Sequence, residues 1–157
     1  MFKIVYDILK ILRENKKMMN NDDILKMYFT SCINIPYRWG GYNPIEGYDC
    51  SGFVQDALST IGLDPKGDQT ANLLYKFFSQ PNNGLIKDIA SFGNLLFFGN
   101  DKIIRHVAIS LSNEAMIEAG GGGSKVNDIQ DAIKYNAFVR IRPIKNRNDL
   151  HAIIKIY

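Results

Sequence analysis

Apolar residues in the first half of the chain recur every three or four positions, and in the second half the period shortens. Ile4, Ile8, Ile11 and Leu12 predict a helix over residues 2–17. Ile24, Leu25, Tyr28, Phe29 and Cys32 predict a second over about 23–33, capped by Asn21 or Asp22. Residues 34–48 break the pattern with Pro36, Gly40, Gly41, Asn43, Pro44 and Gly47, and read as a loop. A third helix opens near Cys50, carries the stripe Phe53, Val54, Ala57, Leu58 and Ile61, and stops at Gly62. Leu73, Leu74, Phe77 and Phe78 predict a fourth over about 69–79, with Asp68 as its cap.

After "SQPNNG" the segments 94–99, 103–111, 115–119 and 137–144 read as strands separated by turns, with a short helix near 128–135. Helices first and closely spaced strands second imply an α+β fold with an antiparallel sheet. His151, six residues from the C-terminus, lies on a segment that reads as less constrained.

The 157 residues suit one domain, with 1–20 as a helical extension and about 21–157 as the core. At 46% hydrophobic and 22% charged, the chain has the composition of an ordinary globular protein. A net charge of +3 lacks the clustered Lys and Arg of a nucleic-acid binder. No apolar run reaches the roughly 20 residues a membrane span requires. Lys3 and Asp7 interrupt the N-terminal apolar stretch, and no small-residue cleavage site follows. The expectation is therefore synthesis in the cytoplasm without a signal peptide. Two Cys and two His, with no CxxC pair, make neither a zinc site nor any other metal site. No cofactor is expected.

Cys50 has the setting of a reactive thiol. Asp49 is a good N-cap, which places Cys50 at the first helical position, where the positive end of the helix dipole favours an anion. Cys50 also shares the Val54 and Ala57 side of the helix, so simple packing stays open. Cys32 reads as core. A nucleophile needs a base, and only His106 and His151 are available. His106 lies within "IIRHVAISL", where a strand would hold it. Glu118 is twelve residues further on. If the intervening turn at Ser112–Glu114 has three residues, both side chains share one face of a hairpin, a diagonal step apart; a two-residue turn would separate them. The "GGGG" run at 120–123 lacks a GK[ST] ending, so it reads as a rim or a mobile loop rather than a phosphate loop.

Together, "PYRWGGYNP" (36–44), "DCSGFVQ" (49–55), "NLLFFG" (94–99) and "HVAISLSNEAMIEA" (106–119) resemble the NlpC-type cell-wall cysteine peptidases. The resemblance covers about residues 30–120. It implies a papain-like core, with Cys50 as nucleophile, His106 as general base and Glu118 in the third polar position. It implies that Tyr37 helps stabilise the oxyanion, and that Asp49 and Ser51 help bind the substrate's amino end. The third position is more often His in this family, and the turn before the "LLFF" strand more often reads Pro-Gly-Asp than "SFGN".

The implied activity is hydrolysis of peptidoglycan stem peptides, at the D-γ-glutamyl–diamino-acid bond. Without an export signal, the expected setting is a phage enzyme carried in a tail or released at lysis. Three alternatives stand beside it: an acyltransferase or other amidase on the same scaffold, a non-catalytic wall-binding or structural module, and a regulatory protein with an inert Cys50.

Overall fold

A computed structural model describes residues 19–157. The helix predicted over 2–17 lies outside them. Helix α1 (Asn21–Cys32) is capped by Asn20, whose side chain accepts from the Asp23 N–H at 2.9 Å. Two short strands, β1 (Tyr42–Asn43) and β2 (Gly47–Tyr48), pair inside the predicted loop. Helix α2 (Cys50–Thr60) follows at once, and Gly62 turns the chain away from it with φ +71°. Helix α3 (Ala71–Phe78) is capped by Thr70 and not by Asp68: the Thr70 hydroxyl accepts from the Leu73 N–H. Asp68 stands two residues too early to reach the first free N–H groups.

The sheet has six strands in the order β3-β8-β4-β5-β6-β7, antiparallel throughout. Its strands are β3 (Leu85–Lys87), β4 (Leu95–Asn100), β5 (Ile103–Ser110), β6 (Ala115–Gly120), β7 (Phe138–Pro143) and β8 (Leu150–Lys155). Helix α4 (Ile129–Tyr135) bridges β6 and β7. Strands β3 and β8 correct the sequence expectation, and with them the reading of His151. The His151 segment is a strand inserted between β3 and β4, held by a register such as Leu96↔Ile153. Such long-range insertion leaves no local periodicity to read.

Both faces of the central strands are buried, so "LLFF" is continuous rather than alternating. Leu95, Phe97, Val107, Ile109 and Ile117 pack with the helices; Leu96, Phe98, Ala108 and Met116 form a second cluster with Ile144 and Ile153. Phe53, Val54 and Ala57 press α2 into the first cluster with no exposed surface. Each large side chain of that stripe contributes about 1.5–3 kcal/mol by leaving water. This packing fixes where the first turn of α2 points.

Candidate active site

The loop before α2 is tied to the helix start. The Asp49 carboxylate accepts from the Gly52 N–H at 2.8 Å and the Ser51 hydroxyl at 2.9 Å, while its other oxygen accepts from the Gly40 N–H at 3.1 Å. The Asp49 N–H in turn donates to the Gly41 carbonyl at 2.9 Å. Gly52 has no room for a side chain, because a Cβ there would lie 2.1 Å from the Gly41 oxygen. The sequence "DCSG" is thus an N-cap, a half-buried thiol, a buried hydroxyl and a contact glycine. At the first helical position the Cys50 N–H has no intrahelical acceptor.

Tyr37 is buried beneath the glycine run. Its N–H donates to the Ala137 carbonyl at 2.9 Å, and a Cβ at Gly122 would fall 2.6 Å from its ring. Gly122 therefore lays bare backbone against the tyrosine ring. Burial, and then the negative charges of Cys50 and Asp49, push the Tyr37 hydroxyl well above its ordinary range, against a hydrogen bond from the Gly123 backbone. It stays a neutral O–H donor beside the thiol.

The β5–β6 turn spans three residues. The Ser112 hydroxyl accepts from the N–H groups of Glu114 and Ala115, each at 3.1 Å, and the register beyond runs Ser110↔Met116, Ile109↔Ile117. That register puts His106 and Glu118 on one face. His106 Nε2 lies 2.6 Å from Glu118 Oε2, with the carboxylate 2% exposed. The Cys50 thiol stands near enough to the same imidazole for the two groups to act on each other's charge. Burial alone would lower the His106 pKa, but the hydrogen bonds and charges of Cys50 and Glu118 outweigh it and hold it at about 9. Burial likewise raises Glu118, and the contact with His106, helped by Arg142 and Arg147, reverses this and holds the carboxyl below its usual range. An ion pair shielded from water is stronger than one at the surface.

The site gathers Cys50, His106, Glu118, Tyr37, Asp49 and Ser51 around one end of α2, and it leaves two other sequence candidates elsewhere. His151 Nε2 is 3.1 Å from the Tyr75 hydroxyl, with the two rings 5.2 Å apart. Cys32 is buried at the last residue of α1. Arg142 was not singled out from the sequence. Its Nη1 is 3.4 Å from Glu118 Oε1. The alternation "RIR" in β7, aligned on β6, was the signal that would have found it: Arg140 pairs with Glu118 and Arg142 with Met116. Among the described residues no cluster of three or more His, Cys, Asp or Glu side chains is arranged to hold a metal, and no helix is long and apolar enough to cross a membrane.

Helices on an antiparallel sheet, with a thiol at a helix start facing a strand-borne imidazole, define a papain-like α+β protein. The sequence profile of the NlpC/P60 family matches residues 34–143, and the chain belongs to that family of cell-wall peptidoglycan endopeptidases. It is 32% identical over 114 residues to the bifunctional muramidase/DL-endopeptidase CwlT of Bacillus subtilis, covering 70% of this chain and 32% of CwlT. The chain spans about a third of the length of the curated relatives it matches. The NlpC/p60 domain of the peptidoglycan hydrolase SagA superposes with a TM-score of 0.63 at 22% identity, over 88% of this chain and all of that one. RipD of Mycobacterium tuberculosis, a non-catalytic NlpC/p60 domain protein adapted to peptidoglycan binding, superposes at 0.61 with 20% identity, over 88% of this chain and 98% of its own. These likenesses establish the fold.

Proposed function

We propose that residues 21–157 form a single catalytic domain that cleaves peptidoglycan stem peptides by thiol chemistry, at the D-γ-glutamyl–diamino-acid bond. The observation that carries this reading is the 2.6 Å contact between His106 and Glu118 beside Cys50, with His106 held at about 9. At neutral pH His106 is therefore an imidazolium, placed to pair with the sulfur anion that attack requires. Glu118 occupies Nε2, which leaves Nδ1 to face sulfur.

The thiolate attacks the scissile carbonyl carbon, and a C–S bond forms. The oxyanion takes hydrogen bonds from the Cys50 N–H and the Tyr37 hydroxyl. As the C–N bond breaks, His106 gives its proton to the leaving amine. Water, deprotonated by His106, then attacks the thioester and restores the thiolate. Asp49 and Ser51 hold the helix start and offer oxygens to the amino end of the substrate. Nothing in these steps calls on a cofactor.

Digestion of purified peptidoglycan, with mass spectrometry of the released fragments, tests this reading. Wild type releases fragments with a new diamino-acid N-terminus, and Cys50→Ala does not. Identical fragments from both would end the proposal. The likeness to RipD favours a second reading, in which the domain binds wall peptide without cutting it. Under that reading wild type retains muropeptide and releases nothing. We also propose that the enzyme reaches the wall as a phage product, in a tail or after lysis. Its presence in purified virions or post-lysis fluid supports this, and confinement to the cytoplasm of intact cells refutes it.

A further inference from the structure

The carboxylate of Glu118 does not lie directly opposite His106. The β5–β6 pairing ends at Ser110↔Met116 and Ile109↔Ile117, so by that register His106 and Glu118 share a face two residues out of step rather than as a cross-strand pair. To bring Oε2 within 2.6 Å of Nε2, the Glu118 side chain must lean along its own strand over position 120. A Cβ at Gly120 would lie 2.9 Å from both Cδ and Oε1 of Glu118 and 3.3 Å from Oε2. The φ of Gly120 lies outside the left-handed region, so the backbone itself would accept a side chain there. What excludes one is the carboxylate. On the other side, Arg142 Nη1 reaches Oε1 at 3.4 Å.

We propose that Gly120 is a positioning residue: the space left by its absent side chain is the seat in which the Glu118 carboxylate folds over to meet His106, with Arg142 clamping the far oxygen. Neither residue touches the thiol. Position 120 thereby sets how long a third polar side chain this hairpin takes, since a diagonal contact needs both a reach as long as Glu and an empty neighbour. The contribution to catalysis rests on the function proposed above; the seating itself does not.

The charged groups around the pair are few and named. His106 faces Cys50 from α2, Glu118 from β6 and Asp149 from the segment before β8. Glu118 faces His106 from β5, Arg140 and Arg142 from β7, and Arg147. Moving the carboxylate off Nε2 removes one of the two partners that hold the imidazole protonated, so the His106 pKa falls.

The test is an NMR titration of His106 in isotope-labelled wild type, Gly120→Ala, Arg142→Met and Glu118→Gln, alongside the pH profile of kcat/KM on a defined muropeptide. Gly120→Ala stays folded and lowers the His106 midpoint by about one pH unit or more, and the alkaline limb of the profile moves with it. Arg142→Met gives a smaller fall. Adding Gly120→Ala to Glu118→Gln produces less than the sum of the two single shifts, because both act on one contact. An unmoved midpoint in folded Gly120→Ala, or additive shifts, overturns the proposal. If Gly120→Ala fails to fold, Gly120→Ala/Glu118→Ala recovers the fold, since the clash is with Glu118 alone; failure of that double variant also overturns it. Absence of any cleavage by wild type would end the functional reading and leave the titration intact as a measure of seating.

Discussion

The two cysteines sit at opposite ends of neighbouring helices, and the contrast separates a packing thiol from a chemical one. Cys32 is the last residue of α1, at the negative end of that helix, and is buried among Tyr28, Phe29 and their neighbours. Burial pushes its thiol up, against the nearby hydroxyls of Tyr28 and Ser31. Nearby, the hydroxyls of Tyr28 and Tyr48 both donate to the Asp56 carboxylate, which ties α1 to α2. Cys50 is the first residue of α2, half-buried, with an imidazole on one side and a tyrosine hydroxyl on the other. The side chains are identical. The end of the helix and the neighbours decide what each can do.

Breaking that contrast begins with the largest effect. Cys50→Ala should lower fragment release from peptidoglycan by a factor of at least about a thousand, whereas Cys32→Ala should keep kcat/KM within a few-fold of wild type and instead cost about 1–2 kcal/mol in urea unfolding. Comparable activity losses would mean the two ends are not chemically distinct. Next, His106→Ala should remove activity by roughly 100- to 10,000-fold. Glu118→Gln should remove less, because an amide at the same place still orients the ring. Kinetics showing equal losses would mean that Glu118 does more than orient. In native protein at pH 7, iodoacetamide should label Cys50 at least about tenfold faster than Cys32, and in denaturant the rates should converge. A Cys50 no faster than a free thiol would point to the wall-binding reading.

A further effect is on stability. The His106 pKa is raised from 6.5 to about 9 in the folded protein. Its imidazolium contacts are therefore fully present below about pH 6.5 and are lost as pH rises through 9, a contribution on the order of 3 kcal/mol. Denaturation midpoints should fall across that window, and His106→Ala should flatten the slope. Activity should fall through the same upper value, since the leaving amine then finds no proton on His106.

Much of this site was legible in the sequence because it rests on local signals. Asp49 reads as a cap, Phe53, Val54 and Ala57 as a buried stripe, and the parity of His106 and Glu118 follows once the turn has three residues. The Ser112 hydroxyl supplies that length by taking two N–H groups. The features that stayed hidden depend on pairings between distant segments. Strand β8 enters the sheet between β3 and β4, so nothing around His151 announces its place. Arg142 reaches Glu118 only through the β6–β7 register, and Gly120 matters only once the carboxylate is seen leaning across it. Thr70 displaced Asp68 as a cap because both residue types serve as caps and they stand only two positions apart, with the helix starting at Ala71.

The hydrogen bonds between the Tyr37 segment and β7 have a consequence for how the domain matures. Asn34, Tyr37 and Val139 exchange backbone bonds with Val139, Ala137 and Ile35, closing a loop of about 100 residues. Cys50, His106 and Glu118 all leave the ribosome before the residues that fix the tyrosine. A nascent chain therefore carries its thiol, imidazole and carboxylate while Tyr37 still has no β7 to hold it. The bonds that join the Tyr37 segment to residues 137–139 form only after synthesis has passed residue 139, so that side of the pocket closes late in translation.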